Sequence, residues 1–263
     1  MPRSRQMLLT IIVLCATAYI GLCLFFFFTQ RSFIYFPRQR QSNRVEIIEI
    51  DTQQAVVELS AGNRENDRAV LYFGGNAEDV SLSLPEYSLG LSDIALYMMH
   101  YRGYGGSTGK PTEHSLRQDA LAVYDRIRDR HSEILVIGRS LGSSIAIGVA
   151  AKVNPTGLVL ITPFDSIQNI AQQIAPFLPI HLLIKDPYLS VRFAPKIQCP
   201  TLVLAASNDE VVPAKSTARL VKALPPEITT LQTISATNHN SISANTLYWS
   251  CMRRFAETVF HTP

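Results

Sequence analysis

From Arg44 onward the chain alternates between short apolar runs rich in β-branched residues and segments of helical length. The runs are VEIIEI (45–50), AVVEL (55–59), AVLYF (69–73), IALYMMHY (94–101), EILVIG (133–138), GLVLIT (157–162), TLVLAA (201–206) and ITTLQTI (228–234). Most are five to eight residues long and bounded by turn formers, which marks strands rather than helices. Segments 113–130, 140–152, 213–224 and 242–259 carry apolar residues at i, i+3 and i+4, the spacing of an amphipathic helix. Strands that alternate with helices bury both faces of a mostly parallel twisted sheet, so the expected class is α/β with helices on both faces. Only short loops separate the first strands, which makes that edge antiparallel. No internal repeat, low-complexity tract or second domain interrupts the pattern.

The N-terminus follows a different rule. Met7 to Phe28, MLLTIIVLCATAYIGLCLFFFF, holds no charge and is long enough to cross a bilayer as a helix. A cleaved signal would end its apolar stretch at a small-x-small site. Here ATA falls in the middle, and four phenylalanines stand where a cleavage site would lie. The expectation is an uncleaved single-pass anchor. It is followed by a segment in which Phe33, Tyr35 and Phe36 mix with Arg31, Arg38 and Arg40, as at headgroup depth. The chain divides into residues 1–30 as anchor, 31–44 as a basic, aromatic juxtamembrane segment, and 45–263 as the enzyme-sized body, with a short cap at about 163–199. Residues 1–44 carry six arginines and no acid, leaving 18 basic against 21 acidic groups in the body. The net +3 charge therefore belongs to the membrane collar, and no nucleic-acid partner is implied. Arginines flank the span on both sides, so the side of the membrane that the body faces stays open.

Open α/β sheets carry their chemistry beyond the carboxyl ends of the strands. Gly138-Arg139-Ser140-Leu141-Gly142 lies there, between EILVIG and the small-residue helix SSIAIGVAA. That is the setting of a nucleophile elbow, in which small neighbours allow a sharp turn that lifts the serine hydroxyl above the sheet. A helix begins at the same turn, so the Leu141 amide points toward the serine oxygen. Of six histidines, only His239, in SATNHNSIS, follows the last strand and precedes the last helix. Asp209, in AASNDEVVP, follows the TLVLAA strand and is the expected acid, with Asp165 in ITPFDS as the alternative and Glu210 as a third candidate that fits less well at the strand tip. Gly74-Gly75-Asn76 follows AVLYF, and the Asn76 backbone amide is the expected second oxyanion donor beside Leu141. No lysine follows these glycines, and no dinucleotide spacing is present, so a phosphate loop is excluded.

Taken together, YFGGNAED, HYRGYGGSTGKPTE, GRSLGSSIA, TPFDSI, CPTLVLAASNDEVVP and NHNSI resemble the membrane-anchored serine hydrolases of the α/β-hydrolase superfamily. The likeness is nearest the bud-emergence (Bem)-type hydrolases, akin to serine aminopeptidases and prolyl-oligopeptidase catalytic domains. It covers nearly everything after the anchor. It implies the α/β-hydrolase fold, Ser140 as nucleophile, His239 as base, Asp209 as acid, and Asn76 and Leu141 as oxyanion donors, with no cofactor or metal. The loop Tyr101–Gly109 would flank the site as a glycine-rich structural turn. Gly74 replaces the histidine with which relatives commonly open and brace the oxyanion loop.

The expected reaction is hydrolysis of an ester, thioester or amide through an acyl-enzyme. The apolar stretch IQNIAQQIAPFLPIHLLI and the anchor favour hydrophobic acyl substrates, either lipids or acylated proteins. A serine aminopeptidase-like activity is the nearest alternative. A catalytically inactive, membrane-tethered binding protein on the same fold is the alternative from another class.

Overall fold

Along each central strand, successive side chains enter two different cores. Leu71, Phe73, Val136, Leu158, Leu160 and Val203 are buried on one face, whereas Val70, Tyr72, Leu135, Ile137, Val159 and Leu204 are buried on the other. A strand covered on both sides must be apolar at every position, which is why the sequence runs are continuous rather than alternating. The computed structural model describes residues 2–52 and 54–260. Their eight strands are β1 (Glu46–Asp51), β2 (Val56–Gly62), β3 (Arg68–Phe73), β4 (Ala95–Met99), β5 (Glu133–Arg139), β6 (Gly157–Ile161), β7 (Thr201–Ala206) and β8 (Thr229–Ile234). They form one sheet in the order β1-β2-β4-β3-β5-β6-β7-β8. β1 and β2 pair antiparallel, as do β2 and β4, and every other pairing is parallel. This is the α/β-hydrolase architecture expected from the sequence.

The four anticipated helices of the body are α3 (Glu113–Arg128), α4 (Leu141–Val153), α8 (Ala214–Ala223) and α9 (Thr246–Phe260). The periodicity did not disclose α2 (Val80–Gly90), whose interior Pro85 reads as a breaker. Asp79 caps it, accepting from the Ser81 N–H, and Val80, Leu84 and Tyr87 bury its inner side. Three short helices, α5 (Ile167–Ile174), α6 (Ile180–Leu183) and α7 (Ser190–Phe193), lie between β6 and β7, where a cap was expected. β4 stops at Met99, leaving His100 and Tyr101 in the loop beyond it.

The N-terminal helix α1 runs from Pro2 to Ile34, further than the charge-free stretch. It is long and apolar enough to cross a membrane. The segment 31–44, expected to lie at headgroup depth, packs in part on the body. Tyr35 is buried and shares a hydroxyl hydrogen bond of 2.8 Å with Tyr188. Arg31 pairs with Asp186, and Arg40 with Glu58. Bonds from the Gly105 N–H to the Arg38 carbonyl and from the Gln41 N–H to the Asp79 carboxylate strap the segment across the loops beyond β4 and β3. Phe33 and Phe36 remain exposed.

Candidate active site

The turn from β5 into α4 carries an unfavourable backbone conformation, and it falls on the serine. Ser140 has φ 50° and ψ −115°, which costs a side-chain-bearing residue on the order of 1–3 kcal/mol. Its N–H donates to the Ile161 carbonyl of β6 at 2.9 Å, so the neighbouring strand holds the turn. The flanking glycines have no positive φ, and what they supply is close packing. A Cβ on Gly142 would lie 2.0 Å from the Phe73 carbonyl oxygen, and one on Gly138 would lie 2.4 Å from that of Gly142. Three backbones meet where no side chain fits.

His239 lies in the loop between β8 and α9, with its ring largely buried. Its Nε2 is 3.0 Å from Ser140 Oγ, and its Nδ1 is 2.8 and 3.0 Å from the Asp209 carboxylate oxygens. A carboxylate can only accept, so Nδ1 carries the proton and Nε2 is left to accept from the serine hydroxyl. The Asn238 side chain accepts from the N–H groups of Asn240 and Ser241 and so fixes the His239 loop. Asn208 N–H donates to the Thr237 carbonyl, joining that loop to the one bearing Asp209. Asp209 also accepts from the N–H groups of Val211 and Val212. Burial works to raise its carboxyl, yet His239 and these two amides together hold it below the ordinary value of 3.8.

Asp165, the alternative acid, is engaged elsewhere. It is fully buried and accepts from Ser216, Arg219 and Asn169, tying α8 to the start of the cap. The sequence left the two aspartates open because both follow strand ends. The histidine reaches only one of them.

The loop after β3 passes beside the serine: a Cβ on Gly75 would lie 3.9 Å from that of Ser140. The Gly75 N–H is taken by Glu78 Oε2 at 2.8 Å. The N–H groups of Asn76 and Leu141, the expected oxyanion donors, make no hydrogen bond among the described residues. Tyr101 Oη donates to the Gly74 carbonyl at 2.7 Å, and Tyr104 Oη to that of Asn76 at 2.6 Å. The Tyr101–Gly109 loop thus acts on this site as a structural support.

Two residues here were not foreseen. Glu78 accepts from Tyr72, Ser83 and the Gly75 N–H, and faces Arg139 at 3.8 Å. Arg139 in turn donates to the His239 carbonyl at 3.4 Å. The pair links the loop after β3 to the loop bearing His239. A Cβ at position 74 would lie 2.7 Å from Val80 Cγ1 and 3.2 Å from the Glu78 carboxyl, so a side chain there would have to displace both, and the carboxylate holds the loop through the Gly75 N–H. The signal available in the sequence was an acid two residues past Asn76 and an arginine inside the serine motif.

Gly75, Asn76, Glu78, Arg139, Ser140 and His239 line an open cavity of about 330 Å³, within the usual range for small-ligand sites.

The family model described as serine aminopeptidase, S33, matches residues 66–186, a span that includes Ser140 and the loop after β3 and ends before Asp209 and His239. An uncharacterized Mycobacterium tuberculosis protein is 32% identical over 242 residues, covering 85% of each chain. The mouse lysophosphatidylserine lipase ABHD12 is 32% identical over 175 residues, covering 56% of this chain and 43% of the lipase. Among solved structures, a Pyrococcus furiosus esterase superposes with a TM-score of 0.68 at 18% identity, covering 86% of this chain and 98% of the esterase.

Proposed function

Because this chain belongs to the serine aminopeptidase (S33) family of α/β-hydrolases, we propose that Ser140, His239 and Asp209 are its catalytic triad. The protein is a serine hydrolase; the triad, the substrate and the membrane setting are the proposed parts. The observation that carries the reading is the continuous hydrogen-bonded path from the Ser140 hydroxyl through both His239 nitrogens to Asp209.

In the proposed reaction Ser140 Oγ attacks an acyl carbonyl while His239 Nε2 takes its proton. Asp209 holds the ring in the productive tautomer and stabilises the imidazolium that forms. The tetrahedral oxyanion rests on the N–H groups of Asn76 and Leu141. These are bonded to no other protein group among the described residues, so no protein hydrogen bond has to break for it to bind. His239 then returns the proton to the leaving group, and water, activated by the same imidazole, hydrolyses the acyl-enzyme.

The substrate class we favour is a lipid ester or thioester with a long acyl chain. Its support is the apolar cap, together with the lipase activity in the name of the mouse relative. α1 would hold the enzyme in the membrane as a single-pass anchor.

Labelling with a fluorophosphonate probe tests the triad. Wild type should react, and Ser140→Ala should not, with hydrolysis falling about a million-fold. A folded wild-type protein that remains unlabelled would sink the enzymatic assignment to Ser140. The family description favours one second reading, an aminopeptidase. Cleavage of aminoacyl anilides with no turnover of esters or thioesters would select it.

A further inference from the structure

A second hollow of about 410 Å³ lies between α1 and the cap, walled by Phe26, Phe33 and Ile34 on one side and Ile167, Ala171 and Ile174 on the other. Among the described residues, its lining has one polar side chain, Gln30. Both ends of that amide are already occupied: Nε2 donates to the Phe27 and Leu183 carbonyls, and Oε1 accepts from the Lys185 N–H. The hollow therefore offers a ligand dispersion contacts and dehydration, and no hydrogen bond. Such a site takes hydrocarbon.

The path of α1 says where that hydrocarbon comes from. Met7 to Phe28 spans about 33 Å at 1.5 Å per residue, the thickness of a bilayer core. The cap does not meet α1 at the end of this span. Tyr19 Oη donates to the Phe177 carbonyl, and contacts continue through Gln30 to the Arg31–Asp186 pair. With α1 in a membrane, the cap lies alongside roughly 18 Å of the helix, from Tyr19 near the middle of the apolar span to Arg31 at its end, the depth of one leaflet's acyl chains and headgroups. Its surface fits that depth. Residues 167–184 contain no Asp, Glu, Lys or Arg, and Ile174, Phe177 and Leu182 are 77%, 62% and 73% exposed. A soluble surface rarely gathers side chains of this kind together.

The hollow also abuts the catalytic cavity. The carbonyl of Ile34, in its wall, accepts from Asn76 Nδ2 at 3.3 Å, and Asn76 lines the site at Ser140.

We propose that the cap is seated in the membrane and that this hollow receives the acyl chain of a bilayer lipid, leading its carbonyl toward Ser140. The lipid-hydrolase reading above is assumed, and the tests separate the two. In the first, full-length Ser140→Ala in phosphatidylcholine vesicles is irradiated with a phosphatidylcholine carrying a diazirine on one acyl chain. Crosslinks should concentrate in 26–34 and 167–184. Crosslinks confined to residues 7–25, or label displaced by an S-acylated peptide and not by excess lipid, would overturn the proposal. The second compares acyl esters of four to sixteen carbons on the wild type and Ala171→Trp, whose indole fills the hollow. The ratio of kcat/KM for the longest to the shortest ester should fall at least ten-fold. An unchanged ratio in a variant that still takes the fluorophosphonate overturns the hollow while leaving the hydrolase intact. Crosslinking in the hollow without hydrolysis of any ester would do the reverse.

Discussion

Glu78 is the residue whose importance the tertiary structure most changes. Its carboxylate gathers a buried tyrosine hydroxyl, a serine hydroxyl and the Gly75 N–H, and so sets the course of the loop that delivers the Asn76 amide. We class it as a positioning residue. Glu78→Ala should lower kcat about ten-fold or more, short of the ~10²–10³ that follows loss of an oxyanion donor itself. KM should change little, and Glu78→Gln, which keeps an acceptor, should fall between. Steady-state kinetics on a short-chain ester check this; a change confined to KM would contradict it. Glu78 escaped the sequence because an acid in a loop has no periodicity and its partners are separated along the chain. Ser140, by contrast, was legible because the strand-turn-helix context is local, and the glycines that let three backbones meet are its immediate neighbours.

At the scale of elements, the tie between α8 and the cap is the clearest case. Asp165 receives Ser216 and Arg219 from α8 and Asn169 from α5. Burial acts to raise its carboxyl, and these hydrogen bonds together hold it below the ordinary 3.8. The stability it supplies is thus complete above that value and is lost as pH falls through the lower folded-state value. Asp165→Asn should cost on the order of 2 kcal/mol at neutral pH, a hydrogen-bond cost because Arg219 is partly exposed. The deficit should shrink as the pH is taken below 4. Denaturant titrations of both proteins from pH 7 to pH 3 measure it, and a deficit that grows toward acid would refute the account. The same scale explains what pattern reading recovered. The central strands were visible because burial on both faces writes an apolar run, and the largely exposed edge strands β1 and β8 by their β-branched residues. α2 was not, since Pro85 breaks the helical signal while packing against β2 and β4 restores the helix.

For the whole molecule, the decisive feature is that α1 and the body are not joined by a free tether. Tyr35 is buried against Tyr188, and residues 36–41 are strapped by Tyr104, Gly105, Glu58 and Asp79. In vesicles, trypsin should therefore cut slowly after Arg38 and Arg40, and faster when Tyr35→Phe removes the hydroxyl bond, worth about 1 kcal/mol. Rapid release of an intact body from the wild type would mean that the strap is not closed. The sequence placed these aromatics and arginines at a membrane surface by composition alone. Composition cannot say which of them turns inward.

What the chain determines by itself is whatever neighbours in sequence can settle. Strand and helix periods, an apolar span, and a serine crowded by glycines at a strand end all arise from contacts within a few residues. The folded molecule decides what depends on distant segments meeting: Asp209 rather than Asp165 at the histidine, Glu78 in the space a side chain at position 74 would need, and the cap laid along α1. Each is a choice among chemically similar groups, and only the geometry of closure makes them unequal.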